Sequence, residues 1–356
     1  MMRRALTFYV FLFKAMLLFC ESPLEPQLSP SIDLEDRIQE FVLETKRIEI
    51  PGYPNAFNPS IIRWNGKLLM SFRIIPDINQ KYNSEIGVVW LNENFLPVTT
   101  PQILNLCPSY VSPNSPSRAE DGHLLNVNGT LYLTYDDNRD EKLSKGGFRV
   151  YIAELEVVDE TIIPKNIEAI FYFEGESRNI REKGWVPFAY KDHLLLAYSI
   201  SPHRIFRYLP GTKGCETIAE TNPNIHWDWG ILRGSTPGVN INGQFNLAFF
   251  HSSIKMRSIH SNEQESLHYF IGAYTFSLEP PFKILTISPE PIVGKNFYHG
   301  ASYKPYWHAI CAVFPAGYIC KGDILYLFYG RQDHEIWVAA IDKQGLLNSL
   351  IPVSTF

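Results

Sequence analysis

Asn58-Pro-Ser60, Arg118-Ala-Glu-Asp121, Arg181-Glu-Lys-Gly-Trp185 and Arg233-Gly-Ser-Thr-Pro237 are polar runs, each at or just ahead of an apolar, strand-like segment. A second set, Arg73, Asp137, His203, His251 and Asp333, falls where later apolar segments end. Carboxyl groups move protons, clustered cations hold anions, and sugars need hydroxyl partners with aromatic faces to stack on. Gathered in one cleft, this mixture suits carbohydrate. Each residue also has a plainer reading. Arg73 and Asp137 would bridge neighbouring sheets, His251 would be structural, Trp185 would be core, and Arg233 would brace a turn marked by Gly and Pro. Only co-location separates the two readings.

The elements that would bring them together repeat along the chain. From Ile50 onward a turn followed by a period-two strand occurs five times: NGKLLMSFR (65–73), NGTLYLTYDD (128–137), KDHLLLAYS (191–199), NGQFNLAFFH (242–251) and KGDILYLFYG (321–330). Asn-Gly or a similar pair before such a strand is a hairpin signature. An apolar stretch precedes each unit (AFNPSIIRW, EDGHLLNV, GWVPFAY, STPGVNI, AICAVFPAGYI), and another follows it (EIGVVWL, RVYIAEL, RIFRYL, YFIGAYTF, EIWVAAI). This order predicts one antiparallel sheet of three or four strands per unit. Five such units make an all-β, five-bladed β-propeller over residues 49–356. A β-sandwich of ten or more strands is the competing arrangement. In a propeller the first strand of each unit lines the channel, so the polar runs meet at one mouth.

Residues 1–20 place two arginines ahead of an apolar run broken by Lys14. This is the pattern of an export signal or membrane anchor, and it predicts an exported or membrane-associated protein. An apolar helix against the domain, with a cytoplasmic location, is the alternative. Residues 21–48 read as a Pro-rich linker followed by a short helix. In that helix Ile32, Leu34, Ile38, Phe41 and Val42 recur at helical spacing behind Ser31 or Asp33 as a cap. A net charge of −5 gives no support to a nucleic-acid partner. The five cysteines form no CxxC pair, so no metal site is expected. Cys311 and Cys320 would pair across a hairpin if the chain is exported, with buried free thiols as the alternative.

The polar motifs in order resemble glycoside hydrolase family 130, five-bladed propellers acting on β-mannosides, chiefly as phosphorylases. The matching pieces are Asn58-Pro-Ser with Arg73, Glu120-Asp121-Gly, Glu182-Lys-Gly-Trp-Val-Pro-Phe188, Arg233-Gly-Ser-Thr-Pro237, Phe250-His251, Val313-Phe-Pro-Ala-Gly317 and Tyr329-Gly-Arg-Gln-Asp333. The resemblance implies Asp121 as the catalytic general acid, with proton delivery through a sugar hydroxyl. It implies Asn58, Ser60, Arg73 and Asp333 as grips on the sugar, and Lys183, Arg233 and His251 as phosphate ligands. Trp185 joins the substrate set as an aromatic of the mouth. Two departures stand out: Glu-Asp-Gly-His123 replaces the family's Glu-Asp-Pro-Arg, and Ser201-Pro-His203 stands where phosphorylases carry an arginine.

An inverting displacement needs an acid on the leaving oxygen and a nucleophile on the opposite face of the ring. Water requires a second carboxylate as base, for which Glu182 or Glu176 is available. Phosphate arrives anionic and requires cations instead: Lys183, Arg233 and His251, with Arg181 or His203 in reserve. The expectation is a β-mannoside phosphorylase with inorganic phosphate as co-substrate, an oligosaccharide or mannoside as substrate and no further cofactor. Hydrolysis, mannosyl transfer from a nucleotide sugar and glycan binding without catalysis are the alternatives.

Overall fold

A computed structural model describes residues 32–80, 82–139, 147–176, 181–299 and 310–355. The apolar run 1–20 and the Pro-rich stretch 21–31 lie outside these. Among the described residues no helix is long and apolar enough to cross a membrane.

Five antiparallel sheets form the blades of a propeller. Blade 1 comprises Phe57–Trp64, Lys67–Ile74, Glu85–Leu91 and Gln102–Ile103. Blade 2 comprises Glu120–Val127, Thr130–Asp137, Arg149–Val158 and Thr161–Ala169, and blade 3 Val186–Tyr190, His193–Ser199, His203–Leu209 and Gly214–Thr221. In blade 4 the innermost strand is broken into Arg233–Gly234 and Val239–Ile241, both paired with Phe245–Met256, and Ser266–Phe276 and Ile284–Ile287 lie further out. Blade 5 holds Val313–Lys321, Ile324–Arg331 and Glu335–Asp342. At three of the hairpins both central residues carry positive φ: Asn65 and Gly66, Asn128 and Gly129, and Asn242 and Gly243. That is the conformation for which Asn-Gly is selected, because its twist matches the flanking strands.

The fourth strand of blade 5 comes from the other end of the propeller. Val42–Ile48 pairs antiparallel with Glu335–Asp342, with Ile48 opposite Ile336. This corrects the expectation of a helix reaching Val42. Only Leu34–Arg37 coils, as a 3-10 turn capped by Asp33, whose side chain accepts the Glu35 amide. Tertiary pairing overrides the helical spacing, because the open edge of blade 5 would otherwise present unpaired backbone groups. A seven-residue α-helix, Lys343–Ser349, also follows blade 5 without having been expected.

Apolar faces of adjacent blades pack together. Leu69, Val88, Trp90, Leu133 and Tyr151 fill the space between blades 1 and 2. Trp185 belongs to such a cluster between blades 2 and 3, edge-on to Phe173, Tyr198 and Phe206 at 5.1–5.3 Å. The plainer reading of Trp185 as core is therefore the one realised. Cys311 and Cys320 are not joined by a disulfide. Cys311 lies ahead of the strand in which Cys320 is opposite Leu325, so no hairpin joins them.

Candidate active site

The entrance ends of the innermost strands enclose a cavity of about 270 Å³. Its wall includes Asn58, Arg73, Glu120, Asp121, Lys183, Arg233, His251 and Asp333, so seven of the nine expected site residues meet there. Ser60 and Trp185 do not. The Ser60 hydroxyl lies fully buried and accepts the Leu124 amide at 3.2 Å, tying blade 1 to blade 2. The opposite ends of the same strands border another cavity of about 450 Å³, with Ile61, Leu124, Val239 and Tyr318 in its wall and no carboxylate.

Backbone irregularities aim the key side chains. The pairing of blade 1 shifts between Phe57 and Ser60, and that of blade 2 between Glu120 and His123. In these bulges Asn58 and Asp121 adopt φ of 47° and 53°. A non-glycine residue held there costs about 1–3 kcal/mol, and bulges of this kind re-aim side chains beside functional sites. Gln332 and Asp333 also have positive φ (56° and 52°), and the His334 amide returns to the Arg331 carbonyl at 3.2 Å. This tight turn puts Asp333 at the mouth.

Glu120 is the electrostatic hub. It accepts from Arg73 Nη2 at 2.8 Å and Arg118 Nε at 2.5 Å, and it pairs with Lys183. Burial pushes its carboxyl up, but Arg73, Lys183 and Arg118 together outweigh burial and hold it below the usual range. Burial likewise opposes the Lys183 charge, yet Glu120, Asp121 and Asp136 raise its pKa. Lys183 Nζ lies 3.8 Å from Asp121 Oδ2, and Asn58 Nδ2 donates to Asp121 Oδ1 at 3.0 Å. Asp136, fully buried behind Lys183, is pushed well above the carboxylate range by burial. Burial raises Asp333 to about 6, against the pull of Arg73.

His251 contributes a neutral ring rather than a cation. Burial, then Arg233 and Lys183, lower its pKa to about 3, and its Nδ1 lies 2.6 Å from the Ser235 hydroxyl. The remaining cations of the wall are Arg73, Arg118, Arg181, Lys183 and Arg233, opposite three carboxyl groups. Three of them, Arg118, Arg181 and Lys183, crowd one buried ring, Phe148, at 5.1–5.5 Å from its centroid. The ring offsets part of their mutual repulsion, and an anion bound among them would offset more.

His203 does not reach the cavity. It is buried in blade 3, its Nδ1 bonded to the Phe282 carbonyl at 2.9 Å and its ring against Tyr274 and Phe276. Neither reserve base lines the cavity either: Glu182 is bonded to Trp185 and Tyr198, and Glu176 to Arg149. Asp137 braces the rim, accepting from Ser117 Oγ at 2.7 Å and the Arg118 amide at 2.8 Å. Tyr269 and Phe314, which are not among the residues expected at the mouth, complete the wall on either side of His251. Tyr269 sits on the third strand of blade 4, where no pattern marks it as inward-facing.

Fold and cavity together define a five-bladed propeller with an acid and a ring of cations in its funnel. The chain belongs to glycoside hydrolase family 130, whose profile, described as beta-1,4-mannooligosaccharide phosphorylase, it matches over residues 25–351. Members of this family are β-mannoside phosphorylases and hydrolases. Among solved structures, a mannose phosphorylase from Leishmania mexicana in complex with phosphate ion superposes with a TM-score of 0.60 at 12% identity, over 90% of this chain and 94% of the other. A beta-1,2-mannobiose phosphorylase from Listeria innocua gives 0.53 at 14% identity, over 88% and 95%. A glycosyl hydrolase from Bacteroides ovatus gives 0.55 at 14%, over 82% and 85%. At these identities the superpositions establish the shared fold. No curated protein matches the sequence.

Proposed function

We propose that this protein is an inverting β-mannoside phosphorylase that uses inorganic phosphate to cleave, or in reverse to build, a β-mannosidic linkage. One observation carries the choice of phosphate over water: five cations face three carboxyl groups around the cavity, and neither reserve base lies on its wall. Phosphate needs charge and directed donors, which arginine supplies in pairs. In this reading Arg181, Lys183 and Arg233 hold the phosphate, and neutral His251 donates or accepts one hydrogen bond. Arg181 takes the place that Ser201-Pro-His203 leaves without an arginine.

Asn58, Arg73 and Asp333 grip the mannosyl unit, and Tyr269 and Phe314 supply the aromatic surface. A phosphate oxygen attacks the anomeric carbon as the glycosidic bond breaks. Asp121 supplies the proton taken up by the leaving oxygen, through a sugar hydroxyl. The products are mannose 1-phosphate and an acceptor with a free hydroxyl.

The test is phosphate release from mannose 1-phosphate with a panel of sugar acceptors, beside an Asp121→Asn control. Release by the wild type alone supports phosphorolysis. Cleavage of β-mannosides without any dependence on phosphate would assign the protein to the hydrolases instead.

A further inference from the structure

We infer that Asp33, His260 and His299 form a binding site for a divalent transition-metal ion, zinc by its donor chemistry. It lies where the chain enters the propeller, separate from the sugar cavity. The ligand atoms come from the cap of the 3-10 turn, from a short turn of blade 4 (Ile259–Ser261) and from the loop ahead of blade 5. All lie within 4.8 Å of one another. Asp33 Oδ1 is 3.0 Å from His260 Nε2, and Asp33 Oδ2 is 3.8 Å from His299 Nε2. Two ligands at about 2.0–2.2 Å from a tetrahedral zinc stand about 3–4 Å apart, and each of these two separations, one through each oxygen of Asp33, falls in that range.

Hydrogen bonding orients the imidazoles for such an ion. Glu35 Oε2 is 3.0 Å from His299 Nδ1, which must carry the proton to bond a carboxylate. Glu35 is itself fixed by the amides of Asn296, Tyr298 and His299 at 2.7–3.0 Å. The lone pair of His299 Nε2 is thereby left on the side of Asp33. A carboxylate behind a ligating histidine, setting its tautomer, is the usual outer partner of zinc.

At His260 the Leu34 amide approaches Nε2 at 3.2 Å and needs a lone pair there, whereas Asp33 at the same atom needs a proton. A neutral ring cannot serve both. The His260 side chain is only 2% exposed, so water does not make up for the contact that is lost. A cation takes both the lone pair and the carboxylate, leaving the longer amide contact as the one given up. The two rings stand edge to face with centroids 4.4 Å apart, close enough for a small movement to bring both nitrogens onto one ion. His299 is half-exposed and leaves the ion a path from solvent and a fourth position for water.

The cysteine pattern raises no expectation of zinc, because Asp33 lies more than 200 residues before the two histidines, and the three meet only in the fold. Arg331 Nη1 donates to the carbonyls of Asn296 and His299 at 2.7 and 3.2 Å, and Arg331 opens the turn that carries Asp333. A metal ion here would hold the loop behind that turn.

The full chain, stripped with a chelator and dialysed, is to be titrated with zinc chloride by calorimetry and followed by thermal melting. One equivalent of zinc, a melting temperature raised by several degrees and reversal by chelator are expected. Glu35→Gln should weaken binding by about 10- to 100-fold, and His299→Ala should abolish it. His226→Ala, an exposed histidine beside Asp228 outside the cluster, should bind as the wild type does. Failure of micromolar zinc to bind or to shift the wild-type melt would overturn the site, as would wild-type affinity in His299→Ala. Should His299→Ala not fold, cobalt chloride on the wild type gives the independent reading. The intense visible bands of tetrahedral cobalt support the site, and their absence overturns it.

Discussion

Asn58 Nδ2 donates to Asp121 Oδ1 at 3.0 Å, and both residues hold left-handed backbone conformations at bulges in neighbouring blades. The candidate acid is therefore positioned across a blade junction, by a partner 63 residues earlier. Asp121→Asn keeps an oxygen to accept this bond while removing the acid. Turnover should fall by at least about 10³-fold, while calorimetry still detects sugar binding. Turnover within a few-fold of wild type would remove Asp121 from the mechanism.

Gly330 makes the Asn58 position available. A Cβ at residue 330 would lie 2.1 Å from Asn58 Oδ1 and 2.8 Å from its amide nitrogen. Gly330→Ala should displace Asn58, and with it Asp121. We expect kcat/KM to drop about 10²-fold and stability by about 1–3 kcal/mol. Unchanged kinetics would mean that the Asn58–Asp121 contact has no part in catalysis.

Arg233 is exposed and pairs with no carboxylate among the described residues. Arg233→Ala should therefore leave the melting temperature unchanged while raising the KM for phosphate about 10- to 100-fold, the worth of one or two charged hydrogen bonds. An effect confined to the mannoside KM would move Arg233 from the phosphate to the sugar.

Asp333 offers a test of sign. Burial lifts its pKa from 3.8 to about 6, so the folded state favours the protonated form. The stability this contributes is complete below pH 3.8 and is lost as pH rises through about 6. Asp333→Asn should thus be more stable than wild type at pH 7.5, by about 1–2 kcal/mol given water in the cavity. The gain should vanish near pH 4, and activity should be lost throughout. Melting curves of both proteins across this range decide it; a gain that grows on acidification contradicts the assignment.

Where local pattern governs structure, the sequence could be read directly. Asn-Gly pairs ahead of period-two strands marked the hairpins, and their fivefold return marked the blades. The helical spacing of Ile32 to Val42 misled, because the strand that completes blade 5 is stabilised by a partner about 300 residues away. Trp185 and His203 were placed at the mouth by position along the strand, yet the direction of each side chain depends on register and on neighbouring blades. Glu120 carries no mark in sequence that it will collect Arg73, Arg118 and Lys183.

Sequence alone thus determined the repeating sheet, its turns and the residue types brought to one end of the channel, since each follows from period, turn chemistry and chain order. Tertiary structure alone decided which of those residues share a cavity, which are neutral, and how the ring closes. Burial, charge pairing and strand partnership arise between residues far apart in the chain, and a linear pattern does not encode them.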